Sequence, residues 1–251
     1  MRKIPLFLAA LIFTDLAVMA QFQIRDSSLF DPHITLSAAY QTPGGDLANR
    51  FSNNLNIGLG FHIKTKTEWI FGIQGTYLFG NRVNEPNFLA NLRTDAGEIL
   101  DNQGQVAVVI PQERGFTVSL QGGYLFNVIG PNRNSGLLLR GGVGMLQHKI
   151  RIEHQENAIT QLEGEYLKGY DRLTNGWMVD QFAGYYHMSN NGLINFVIGL
   201  EAYQGFTKSR RDLNFDTQSS DTASRLDMLV GIRAGWVLHL YQRAPVVQYF
   251  N

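Results

Sequence analysis

Hydrophobic and polar residues alternate with a period of two over eight stretches of the chain, near 33–42, 53–64, 69–80, 115–127, 136–150, 177–188, 193–204 and 225–241. Successive side chains of a β-strand point to opposite faces, so this alternation predicts eight strands, each with one apolar and one polar face. The last stretch is the clearest. Leu226, Met228, Val230, Ile232, Ala234, Trp236, Leu238 and Leu240 share one face, while Arg225, Asp227, Gly231, Arg233, Gly235 and His239 share the other. Over 53–64, Leu55, Ile57, Leu59, Phe61 and Ile63 oppose Asn54, Asn56, Gly58, Gly60, His62 and Lys64. Only 177–188 is ambiguous, because Asp180 and Gln181 claim opposite faces.

The polar faces are rich in glycine and small residues and carry few charges. A solvated face would hold more Lys and Glu, whereas a narrow lumen needs small side chains and a few charges that can pair. The apolar faces carry large residues, with aromatics near the strand ends: Trp69, Tyr77, Phe79, Tyr124, Phe126, Trp177, Trp236 and Tyr241. That is the pattern of aromatic girdles at two bilayer interfaces. Each stretch meets the roughly 9–11 residues that a tilted strand needs to cross a bilayer.

The connections sort by length. Gaps 43–52, 81–114, 151–176 and 205–224 hold 10, 34, 26 and 20 residues, and the intervening gaps 65–68, 128–135 and 189–192 hold 4, 8 and 4. Long and short gaps alternate without exception, as they do in barrels with long outer loops and short periplasmic turns. Gly130-Pro131-Asn132 and Asn190-Asn191-Gly192 supply the turn chemistry. The expected fold is all-β: an antiparallel up-and-down transmembrane barrel of eight strands with long extracellular loops. A short helix is expected near Pro86–Ala96.

Composition narrows the function. Charged residues are 17% against roughly 25% in soluble domains, and Lys plus Arg equals Asp plus Glu at 21 each, so nothing favours a nucleic-acid partner. There is no cysteine, which excludes disulfides, thiolate metal sites and a Cys nucleophile. No phosphate-cradling glycine motif and no cofactor signature is present. At the amino end, Arg2 and Lys3 precede an apolar run from Ile4 to Leu16, and Val18-Met19-Ala20 supplies a small residue at a cleavage position. Residues 1–20 are therefore expected to be an export signal and 21–251 the barrel domain.

The signal, the eight alternating strands, the one-sided loops and the aromatic-rich terminus together resemble the small outer-membrane β-barrel family of Gram-negative bacteria. The Ala20-Gln21 junction resembles export-signal cleavage sites in the Bacteroidetes. Arg233-Ala234-Gly235-Trp236-Val237-Leu238-His239-Leu240 is similar to the terminal signal read by the barrel-assembly machinery, with Gly235, Leu238 and Leu240 as its fixed positions. The departure is that Gln242–Asn251 follow it. The resemblance implies an outer-membrane location and contact with lipid and lipopolysaccharide, but leaves several roles open.

Four groups of residues are candidates for chemistry. Arg140, Glu201, Asp227 and Arg233 lie on inner faces, where unpaired charge is costly, so Arg140 and Arg233 are expected to pair with Glu201 and Asp227. That arrangement fits a plug of ion pairs; the alternative is a narrow pore for small solutes. His187-Met188-Ser189-Asn190 resembles the His-x-Ser-Asn motif of outer-membrane lipid A deacylases, which implies Ser189 as nucleophile and His187 as base; an orienting acid would also be needed, and Glu201 is a candidate for it. This hydrolase is the third reading. His62, His148, His154, His187 and His239 show no metal-ligand spacing, so no metal site is expected. Loops 81–114, 151–176 and 205–224 carry Phe88, Leu89, Leu92, Val106 to Ile110, Leu162, Tyr166, Leu167, Tyr170 and Phe215. These either pack as a cap or dock a protein partner. Lys208, Arg210 and Arg211 are placed to meet anionic lipopolysaccharide. The expected role is non-enzymatic, as a structural or interaction component of the envelope.

Overall fold

The computed structural model describes residues 27–154, 159–190 and 194–240; the expected export signal 1–20 with its expected cleavage point, Tyr241 and the tail 242–251 lie outside the described residues. Eight antiparallel strands form one closed barrel: β1 (Asp31–Gly45), β2 (Asn54–Lys64), β3 (Trp69–Gly80), β4 (Val109–Phe126), β5 (Gly136–His154), β6 (Thr174–Met188), β7 (Asn195–Ser209) and β8 (Ser224–His239). Each strand pairs with its neighbours in sequence, and β1 closes on β8 from His33↔His239 to Gly45↔Asp227. The topology is up-and-down, and closure leaves no open sheet edge.

The alternation places large apolar side chains outward and polar ones inward. Leu59, Ile73, Leu120, Leu200 and Ile232 are exposed, while Asn56, Gln74, Thr117, Asp180 and Arg233 are buried. A soluble barrel has the reverse polarity. An apolar outer wall is stable only against lipid. Trp69, Tyr124, Phe126, Phe196 and Trp236 ring one end of this wall, and Tyr40, Tyr77, Phe116, Trp177 and Phe206 ring the other. On β3 the eight residue steps from Trp69 to Tyr77 span roughly 20 Å of wall at the usual strand rise and tilt. Ile73 lies midway. Ile73→Arg is therefore expected to lower stability in lipid vesicles by about 2–4 kcal/mol, read by urea unfolding; an unchanged midpoint would show that this face does not meet lipid.

The strand ends differ from the sequence expectation chiefly on the long-loop side. β4 begins at Val109 rather than 115, and β5 runs to His154 rather than 150, so this hairpin projects beyond its neighbours. Residues 109–112 are half-buried on both faces, which erases the alternation that marks a strand in sequence. No helix spans Pro86–Ala96. A single 3-10 turn covers Ala90–Leu92, and a two-stranded ribbon pairs Ile99–Leu100 with Val106–Ala107. Asn87 and Leu89 hold positive φ, of 54° and 59°, which interrupts any α-helix there. The face of β6 is resolved: Asp180 is buried and Gln181 exposed.

Candidate functional site in the lumen and its cap

Eight strands leave an interior just wide enough for side chains to meet across it. At mid-height, Arg233 of β8 crosses to Glu201 of β7. Its Nε lies 2.5 Å and its Nη2 3.1 Å from the two carboxylate oxygens. The remaining guanidinium donors reach Ser37 Oγ at 2.7 Å, Asn56 Oδ1 at 2.7 Å and Tyr203 Oη at 3.1 Å. Gln41 Nε2 donates to Glu201 at 2.7 Å. Three strands thus supply partners for one ion pair, and Arg233 is only 1% exposed.

Arg140 and Asp227 do not join this pair, contrary to expectation. Arg140 donates to Gln74 Oε1 at 3.1 Å and sits 3.1 Å from His62 Nε2, with its guanidinium 5.1 Å above the Phe182 ring. Gln121 lies between His62 and Asp180, at 3.0 Å and 2.9 Å, so Arg140 reaches a carboxylate only through neutral groups. Asp227 takes His148 Nε2 at 2.8 Å and Thr207 Oγ1 at 2.5 Å. The cause is register. Asp227 and Arg233 lie six residues apart on one strand, about 20 Å at the usual rise, so Asp227 lies at a different level from the Arg233–Glu201 pair. His148 is buried in the lumen, 2% exposed. The alternation of β5 through Arg140, Gly142, Gly144 and Leu146 already carried that signal.

Apolar residues close both ends of this polar column. On the short-turn side, Ile70, Leu125, Leu138, Tyr186, Met188 and Val237 pack together, with Leu29 against them. The segment before β1 is tied across that mouth: Lys64 Nζ donates to Ser28 Oγ at 3.0 Å, and Leu29 N to Asn134 Oδ1 at 2.9 Å. On the long-loop side, the inward-facing Leu78, Leu146, Met178, Tyr203 and Leu229 share one core with the loop residues Leu47, Phe51, Leu89, Ile159, Leu162 and Tyr170. The loops are therefore not separate flaps; their core continues into the barrel.

A chain of charges also links all four outer loops. Arg50 Nε meets Glu85 Oε2 at 2.7 Å, Glu85 Oε1 lies 3.7 Å from Arg172 Nε, and Arg172 Nη2 bonds Asp216 at 2.6 and 2.8 Å. Arg211 grips Asp171 with both Nε and Nη2, at 2.7 and 2.5 Å, which raises the guanidinium pKa above its ordinary value. Asn91 donates to Tyr170 Oη at 2.9 Å, and Tyr170 meets Phe215 edge-on at 5.5 Å. Of the apolar loop residues, Leu89, Leu162 and Tyr170 are buried. Leu100, Val106, Val108 and Tyr166 remain exposed on the crown.

Ser189 and His187 are not brought together. Among the described residues His187 makes no hydrogen bond to Ser189. Its ring lies on the outer wall, stacked on Phe196 at 4.9 Å, with Tyr185 Oη 3.4 Å from Nδ1. Ser189 Oγ accepts the Ile194 N–H at 3.1 Å, as a turn residue does. Glu201 is committed to Arg233 deep in the lumen, so the serine–base–acid arrangement of the hydrolase reading is not formed.

No protein-family model matches the chain, and no curated protein matches it. Solved structures that it resembles include Neisserial surface protein A (NspA), at 6% identity and a TM-score of 0.46 over 83% of this chain and 97% of that one. Others are Ail, the attachment invasion locus protein of Yersinia pestis, at 12% identity and 0.39 over 85% and 99%, and OprG of Pseudomonas aeruginosa, at 12% and 0.35 over 87% and 100%. No functional inference follows from similarities of this size; the fold rests on the chain's own strand pairing.

Proposed function

We propose that this chain is an outer-membrane barrel of a Gram-negative envelope, closed to solute passage, whose role is to hold a packed extracellular cap that contacts a partner. The observation that carries this reading is the continuity of packing from end to end. An apolar layer, a bonded polar column and a second apolar layer succeed one another along the lumen, and the second merges with the loop core. A pore needs a wet path past Arg140 and Arg233, and both are buried against bonded neighbours.

The role is non-enzymatic. The cap's crown offers Leu100, Val106, Val108 and Tyr166 to a protein partner within loops 81–114 and 151–176, and loop 205–224 adds Leu213. Lys208 and Arg210 stay exposed at the outer rim, where lipopolysaccharide phosphates would lie, while Arg211 is spent on Asp171. Gly235 and Leu238 near the end of β8, with Leu240 just past it, form the segment presented to the barrel-assembly machinery.

Purified protein refolded in detergent and moved to a planar bilayer is expected to give no steady conductance, with heat-modifiable gel migration confirming that the barrel has formed. Steady single-channel currents from wild type would overturn the closed lumen and favour the narrow pore.

A further inference from the structure

Barrel closure brings Asp31, His33 and His239 together although His33 and His239 stand 206 positions apart. Asp31 and His33 open β1 and His239 ends β8, and His33↔His239 is the terminal pair of the seam between first and last strands. One ligand atom from each of the three residues can be chosen so that all lie within 4.8 Å of one another. Asp31 Oδ2 is 2.7 Å from His239 Nδ1 and 3.3 Å from His33 Nδ1.

We propose that these three residues bind one divalent transition-metal ion of the zinc type, which clamps the barrel seam at its short-turn mouth. Two imidazoles and one carboxylate are a borderline-soft donor set suited to such ions, and they leave a coordination position for water. Ligands about 2.0–2.2 Å from one tetrahedral metal stand roughly 3.3–3.6 Å apart, so the 3.3 Å His33–Asp31 separation already fits a shared centre, and the 2.7 Å Asp31–His239 hydrogen bond would open slightly to admit the ion.

Independent observations support a cation here. Asp31 is 1% exposed, yet its Oδ1 makes no hydrogen bond among the described residues, an anionic acceptor buried without a donor. Tyr186 Oη lies 3.4 Å from Asp31 Oδ2 and its ring 5.7 Å from that of His33, so an outer shell already orients both ligands. The His62 ring stacks on His33 at 5.6 Å and restrains its rotation. The site rests on seam geometry alone and does not depend on whether the lumen conducts.

The test uses the refolded full-length chain, stripped with chelator and dialysed, and zinc or cobalt alone as probe. Wild type is expected to bind one equivalent of zinc, to show the visible absorption of low-symmetry cobalt(II), and to unfold at a higher temperature with zinc present. His33→Gln and His239→Gln are each expected to keep heat-modifiable migration. Each should weaken zinc by more than the roughly 10–100-fold that loss of an outer-shell partner brings. His154→Gln, in the outer hairpin, is expected to bind like wild type. Folded wild type that takes up no stoichiometric zinc would overturn the site and leave the trio as a hydrogen-bonded cluster. So would retention of full affinity in both folded variants. If both variants fail to fold, the wild-type zinc stoichiometry and cobalt spectrum decide the matter.

Discussion

Arg233→Ala is expected to destabilise the folded barrel by about 3–5 kcal/mol, the loss seen when one partner of a buried ion pair is removed. The substitution leaves the Glu201 carboxylate at 4% exposure with only Gln41 and Tyr203 to solvate it, and it removes the guanidinium donor from Ser37 Oγ and Asn56 Oδ1. The paired variant Arg233→Met, Glu201→Met is the informative control. It removes both charges and refills the volume, so it is expected to recover most of the stability. Urea unfolding in lipid vesicles reads both, because Trp69, Trp177 and Trp236 all lie exposed on the outer wall and report departure from lipid. If the double variant were as unstable as the single one, the bonded column itself, rather than avoidance of an unpaired charge, would be what holds this level of the barrel.

The face of nearly every strand residue was legible because the barrel has one constraint repeated eight times: lipid on one side, side chains on the other. That constraint writes a period of two into Leu226 to Leu240 and Leu55 to Ile63. It also placed Arg233 and Glu201 inside, and their pairing across adjacent strands follows from their shared level. What alternation cannot convey is height. Asp227 and Arg233 look alike along the chain, yet six residues of β8 separate them, with Arg233 at mid-height and Asp227 toward the long-loop end, so Asp227 meets His148 and not Glu201's partner. The seam trio was hidden for a related reason. Metal-ligand spacing is sought within a segment, and closure joins the first strand to the last.

The cap was illegible at the level of contacts for another reason. Its residues answer to each other and not to a repeating environment. Glu85, Arg172 and Asp216 sit in three different loops, and no periodicity relates them. Composition did reveal that the loops held too many apolar residues for plain connections, and Leu89, Leu162 and Tyr170 are among those packed over the outer mouth.

That packing makes the cap a cooperative unit, and Arg172 is where it should fail. Arg172→Ala is expected to cost the cap about 3–5 kcal/mol, because the side chain is 3% exposed and its removal leaves the fully buried Asp216 carboxylate without its partner. It also breaks the link from Glu85 to the last loop. By contrast, Arg151→Ala removes an ion pair to Glu153 that is 54% and 32% exposed, and is expected to change stability by no more than about 1 kcal/mol. Limited proteolysis of protein in vesicles separates the two levels of structure. When opening is fast relative to cleavage, cutting tracks the open population. A 3 kcal/mol loss should therefore raise cleavage in segments 81–108 and 159–173 on the order of 100-fold, while heat-modifiable migration of the barrel is retained. Loss of migration together with the cut would mean that cap and barrel fold as one. The shared core that joins Tyr170 to Leu146 and Leu229 would then extend the barrel's own stability outward to the surface a partner meets.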